Sequence, residues 1–232
     1  ARLLVLVVLH VLEVSVDETD SPTTPAEHFL FANELKRLGV KWVSMAPRFI
    51  GRFEKGVDYI GDIPKFTESF ARHVAVMRTV GPYKMSIHSG SDKFSIYPIV
   101  AHQTEGVVHL KTAGTSYLEA VRALAHIDPD LFRQIYDFAR EHYDEDKKTY
   151  HVSADMSKVP PSTEFTDDKL AERIDDFDTR QALHCTFGSV LTADGGKRFK
   201  EPMYAALEKD EETHYKLLAK HLGRHVDPFV PN

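Results

Sequence analysis

One pattern constrains this chain more than any other. Short β-favouring segments recur in which alternate positions are apolar while the intervening ones carry charge, hydroxyl or imidazole. The segment 84–90, "KMSIHSG", sets Lys84, Ser86 and His88 against Met85 and Ile87. Successive side chains of a strand point to opposite faces, so such a segment sends its polar set to one side only. The segments 11–19, 107–114, 150–156 and 182–189 repeat the pattern, and 40–47 adds a sixth β-favouring stretch. Their polar sets are Glu13, Ser15 and Asp17; His109 and Lys111; His151, Ser153 and Asp155; and His184 and Thr186.

Stretches with helical periodicity lie between and after these segments, at 25–39, 63–81, 115–127, 128–146, 166–177 and 201–226. Strands alternating with helices predict βα units and a parallel sheet. An open sheet with helices on both faces would need strands apolar on both sides. A closed barrel instead gathers the polar sides into one lumen, with chemistry at its C-terminal mouth. The expected fold is therefore α/β, a (β/α)8 barrel forming one domain over 1–232. Such barrels usually need about 250 residues. This chain spends most of its length on six units, so the expectation is an incomplete barrel with the first two units absent.

The 35 acidic residues outnumber the 29 basic ones, giving a net charge of −6, which argues against a general nucleic-acid binder. Cys185 is the only cysteine, so no intrachain disulfide can form, and a reducing cytoplasmic setting is expected. The run Leu3–Leu9 is too short to span a bilayer. No membrane partner is expected. A homo-oligomer that covers open sheet edges is.

Several polar groups fall where chemistry would sit. His88, His109 and His184 lie on the inward parity near segment ends, and imidazoles converging with carboxylates suit a divalent cation such as zinc, manganese, iron or nickel. Asp17 and Glu18 end the first segment, where one could ligate and the other move a proton; helix capping by the neighbouring Asp20, Ser21 or Thr24 is the competing use of that stretch. Ser89, Gly90, Ser91 and Asp92 form a loop able to cradle an anion or simply to turn the chain. Arg48, Lys84 and Lys111 are candidates to hold a substrate carboxylate, and Asp155 shares the inward parity. Cys185 falls on the outward parity and reads as core.

The stretches from Glu13 to Asp62, "KMSIHSGSDKFSIYPI", "VHLKTAGTSYLEA", "YHVSADMSKVP" and "HCTFGSVLT" resemble the bacterial tagaturonate epimerase family from about Glu13 to the C-terminus. The resemblance implies a divalent-metal isomerase in an aldolase-like barrel that interconverts the keto sugar acids tagaturonate and fructuronate. It implies Glu18 as proton donor and His88 and His109 as metal ligands, with an opposing base in an N-terminal portion that this chain lacks. Two alternatives stay open: a metal-dependent ketose epimerase or class II-like aldolase on another sugar, and a non-catalytic partial barrel that needs the missing part.

Overall fold

The structure, a computed structural model, describes residues 12–17 and 19–230. Four strands make one sheet: β1 (Glu13–Ser15), β2 (Ser44–Ala46), β3 (Lys84–Ile87) and β4 (Val108–Leu110). Their spatial order is their chain order, and every pairing is parallel. Helices α1 (Pro25–Arg37), α2 (Ile63–Val80) and α3 (Tyr97–Thr104) make the crossovers that parallel neighbours require. No helix among the described residues is long and apolar enough to cross a membrane.

The chain divides into two compact units. The first holds the described residues up to Gly51 with Gly61–His88 and Ile99–Lys111; the second holds Arg52–Ile60, Ser89–Pro98 and Thr112 onward. In the first unit, α1 starts at a capping box. Thr24 accepts from the Glu27 amide at 3.2 Å, and the Glu27 carboxylate accepts from the Thr24 amide at 2.7 Å, so two orphan helix donors are satisfied together. Thr24, not Asp20 or Ser21, is the cap. Asp62 caps α2, with Pro64 in its first turn. Phe66, Phe70, Val74 and Met77 then recur on one side of α2 and are buried. Phe66 and Phe70 stack at 5.4 Å, and Phe49 packs against Phe70 at 5.1 Å. Each buried aromatic of this size contributes about 2–3 kcal/mol.

A buried polar relay crosses this layer. The Tyr83 hydroxyl is 2.9 Å from His28 Nε2, and His28 Nδ1 is 3.0 Å from His73 Nδ1. His73 also bonds the Thr23 backbone. Two ring nitrogens 3.0 Å apart share one proton, so one imidazole donates to the other while burial keeps both rings neutral. Burial holds the two imidazoles well below their ordinary range, to about 3 for His28 and about 4 for His73.

The second unit is helical. α4 (Thr115–Ile127) and α5 (Pro129–Asp146) pack together, and Asp128 caps α5 by accepting from the Leu131 amide at 3.0 Å. Five further helices complete it: α6 (Asp167–Arg173), α7 (Phe177–Cys185), α8 (Phe187–Thr192), α9 (Lys200–Leu207) and α10 (Glu211–Val226). Leu118, Val121 and Leu124 of α4 meet Phe132, Ile135 and Tyr136 of α5 in its core.

Two predicted strands are absent. Residues 150–156 are irregular and run into a single 3₁₀ turn, while 182–189 lie in α7 and α8. Gln181 to Cys185 are buried on every side of α7. Such a short run, buried all round, has no face preference that would separate strand from helix. His184 and Cys185 therefore belong to a helix, not to a strand end.

Candidate active site

The polar face of the sheet gathers around one carboxylate. Glu13 of β1 takes His88 Nδ1 at 2.8 Å on Oε1, and its Oε2 takes the Ser44 hydroxyl at 2.6 Å and contacts His109 Nδ1. The Ser86 hydroxyl is 3.3 Å from the same His109 nitrogen. The strand between β1 and β3 presents only Ser44 and Ala46 on this face. These small side chains leave room for Glu13 to reach over them.

Burial alone would raise the Glu13 pKa, but hydrogen bonds from Ser44, His88, Ser86 and His109 outweigh it and bring it down to about 2. Glu13 is thus ionised and can only accept. Its two imidazole contacts then require protons on His88 Nδ1 and His109 Nδ1, so the neutral form of either ring carries its lone pair on Nε2. A carboxylate fixing Nδ1–H so that Nε2 is free is the arrangement that orients metal-binding histidines. The site is also reachable, since the His109 side chain is 45% exposed and that of His88 29%.

The donor chemistry therefore fits a divalent cation: two oriented imidazole lone pairs beside an ionised carboxylate. Among the described residues, however, the three acidic or imidazole groups whose donor atoms all lie within 4.8 Å of one another are Asp92, His221 and His225. Glu13, His88 and His109 are spread more widely.

The other expected residues scatter. Glu18 lies outside the described residues. Asp17 is half-buried in the turn after β1, in contact with the Ser15 hydroxyl. Arg48 is half-buried beyond β2, its backbone tied to Thr23 at 2.8 and 3.0 Å. Lys111 is half-buried beyond β4. Lys84 is exposed at the opening residue of β3, at the other end of that strand from His88. There it lines an open groove of about 590 Å³ with Trp42, Tyr83 and Val107. Parity placed it correctly on the face, but parity says nothing about which end of a strand carries the chemistry.

Ser89 to Asp92 belong to the second unit. The Ser91 hydroxyl accepts from the Ala113 amide at 2.8 Å, Tyr97 donates to the Gly90 carbonyl, and Asp92 is itself a buried anion paired with Arg180 at 2.7 Å. A loop already carrying a buried carboxylate is poorly suited to cradle another anion. Asp155 is exposed and caps a 3₁₀ turn by accepting from the Ser157 amide at 3.0 Å. His184 sits on α7, and burial depresses it to about 4. Cys185 is buried, its thiol pushed up to about 12.

Glu13 is the residue that sequence reasoning missed. It shared the inward parity with Asp17, but nothing in its local motif marked it. Only the pairing of strands far apart in sequence makes it the hub.

Fold and site together define a parallel α/β protein with a carboxylate–imidazole cluster on one sheet face. Residues 10–229 match the model of the UxaE tagaturonate epimerase family, and the chain belongs to that family. It is 48% identical over 215 residues to a tagaturonate/fructuronate epimerase of Thermotoga maritima, covering 93% of this chain and 44% of that protein. Two crystal structures of fructuronate-tagaturonate epimerase UxaE from Cohnella laeviribosi, one native and one with a glycerol, superpose with a TM-score of 0.90 at 44% identity. Each alignment covers 94% of this chain and 45% of that one. The chain thus spans less than half the length of these relatives.

Proposed function

We propose that this chain carries the acid–base and metal-holding face of a cytoplasmic enzyme that interconverts tagaturonate and fructuronate. The observation that carries the proposal is Glu13 holding both His88 and His109 by Nδ1. The two keto acids differ at a carbon β to the ketone, whose hydrogen that carbonyl does not acidify. Retro-aldol chemistry can invert it. A base takes the proton of the hydroxyl on that carbon, and the bond to the α-carbon breaks with its electron pair delocalised into the ketone. The aldehyde formed turns its other face, the bond re-forms, and the proton returns.

A divalent cation of the zinc, manganese, iron or nickel kind, when bound, would polarise the ketone as a Lewis acid. His88 and His109 would hold it through Nε2, with Glu13 fixing their orientation. Asp17 and Glu18, at the end of β1, are the proposed proton shuttle. Arg48 and Lys111, beyond β2 and β4, are placed to hold the substrate carboxylate. The (β/α)8 reading belongs to the same proposal. In a flat sheet β1 and β4 lie about 14 Å apart, farther than a glutamate and a histidine span. Their contact supports a sheet curled with the polar face inside.

The test is to incubate the 232-residue chain with fructuronate and each metal in turn, following tagaturonate by NMR. Turnover is expected, with no solvent deuterium at the inverted carbon. Glu13→Gln is expected to lower kcat on the order of 100-fold. Deuterium at that carbon would rule out the retro-aldol route, and an unchanged E13Q would remove the site. A folded chain inactive with every metal would favour the second reading, a partial barrel that needs further sequence; its support is the chain's coverage of less than half of its relatives.

A further inference from the structure

In the second unit, a buried carboxylate oxygen faces two imidazole nitrogens without a well-formed hydrogen bond to either. Asp92 is 2% exposed, His221 4% and His225 6%. The α10 pair is spaced i, i+4, which brings both rings to one side of the helix. His225 Nδ1 donates to the His221 carbonyl at 2.9 Å, and its Nε2 accepts the Asp92 amide at 3.1 Å. His225 is therefore neutral, with a lone pair on Nε2. Asp92 Oδ1 lies 3.2 Å from that lone pair and 3.5 Å from His221 Nε2, yet has no hydrogen-bond partner of its own. A dry oxygen without a donor is costly.

The spacing matches a specific occupant. Tetrahedral zinc with bonds of about 2.0–2.1 Å sets its ligand atoms about 3.4 Å apart. The outer contacts match as well. His221 Nδ1 faces Glu119 Oε1 at 3.5 Å and His225 Nδ1 is held by a carbonyl, so both rings turn Nε2 inward, as oriented zinc ligands do. Arg180 grips the other Asp92 oxygen at 2.7 Å and is itself anchored to the Gly56 carbonyl at 2.7 Å, which aims Oδ1 at the imidazoles. Arg180 faces both carboxylates, Asp92 and Glu119, and Arg122 links Glu119 to Asp175.

We propose that Asp92, His221 and His225 form a zinc site, separate from the sheet-face cluster and independent of the function proposed above. The ion replaces the Asp92 amide and the Thr115 hydroxyl, which is 3.0 Å from His221 Nε2, as partners of the two imidazoles. It pins the end of α10 to the loop carrying Asp92, whose left-handed φ of 60° is held by these contacts.

The test uses the full chain, stripped with chelator and titrated with Zn2+ or Co2+ alone. The double variant H88Q/H109Q is expected to keep ~1 equivalent of zinc, a zinc-dependent rise in Tm, and the visible ligand-field bands of four-coordinate cobalt. H221Q/H225Q is expected to lose all three. Glu119→Gln is expected to weaken zinc about 10- to 100-fold. Zinc retained in H221Q/H225Q, or absent from H88Q/H109Q, overturns the proposal. If H221Q/H225Q does not fold, 15N NMR of H88Q/H109Q decides. Coordination shifts at Nε2 of both histidines on adding zinc support the site. A doubly protonated His221 ring that zinc leaves unchanged means a proton does the ion's work, and the site is lost.

Discussion

The two units solve the problem of placing charge in opposite ways. On the sheet face, Glu13 and its imidazoles are half open to solvent and share their bonds among short side chains from several strands. In the helical unit, Asp92, Glu119 and Arg180 are taken almost wholly out of water, so each depends on its partners. Solvent can compensate for a lost contact in the first setting but not in the second. Accessible polar groups can therefore meet a solute, whereas dry ones brace the structure or hold an ion.

The sharpest way to break this contrast is Arg180→Ala. It strands Asp92 as an unpaired buried charge and should cost about 3–5 kcal/mol, read from urea unfolding midpoints; a loss below 1 kcal/mol would show that water reaches the cluster. Next is Gly114→Ala. Gly114 has φ +80°, and a Cβ there would lie 2.7 Å from His184 Cε1. Left-handed backbone and overpacking together predict a loss of about 2–4 kcal/mol, whereas a neutral result would mean that His184 can swing aside.

Acid titration probes the first unit's interior. His28 and His73 are depressed to about 3 and about 4 from 6.5, so below pH 6.5 the unfolded chain takes up protons that the folded chain refuses. Stability should be complete above that pH and fall by about 1.4 kcal/mol per pH unit for each histidine, down towards pH 4. Replacing both with Gln should lower that slope, leaving the part contributed by His184, which burial also depresses to about 4. The smallest stability effect is expected from Glu13→Gln. Its depressed pKa stabilises the fold above pH 4.5, and that contribution fades as the pH falls from 4.5 towards 2. Because the surrounding groups are partly solvated, the loss at neutral pH should be on the order of 1 kcal/mol. A loss as large as that of Arg180→Ala would erase the distinction between the units.

Much of the local structure was legible in sequence because it is written in neighbouring residues. The helix 115–127 begins and ends where its apolar period predicts. α5 starts at its Asp128-Pro129 signal, and Thr24 with Glu27 spells out a capping box. The long C-terminal stretch divides into α9 and α10 at Asp210, whose side chain accepts from Thr213; a polar residue amid good helix formers gave little sign of that break. Residues 182–189 read as a strand because a short run buried all round offers no contrast between faces.

What this sequence determined by itself was therefore α1, α2, α4 and α5, the side-chain caps of α1, α2 and α5, and the fact that one side of the sheet would be polar, since these depend on side chains within a turn or two of one another. Tertiary structure alone decided that Glu13 would be the hub for His88 and His109, that Lys84 would sit at the far end of its strand, and that Asp92 would meet His221 and His225 from more than a hundred residues away. Contacts of that kind depend on strand register and helix packing. Both are set by the burial of many residues together, which no short stretch encodes.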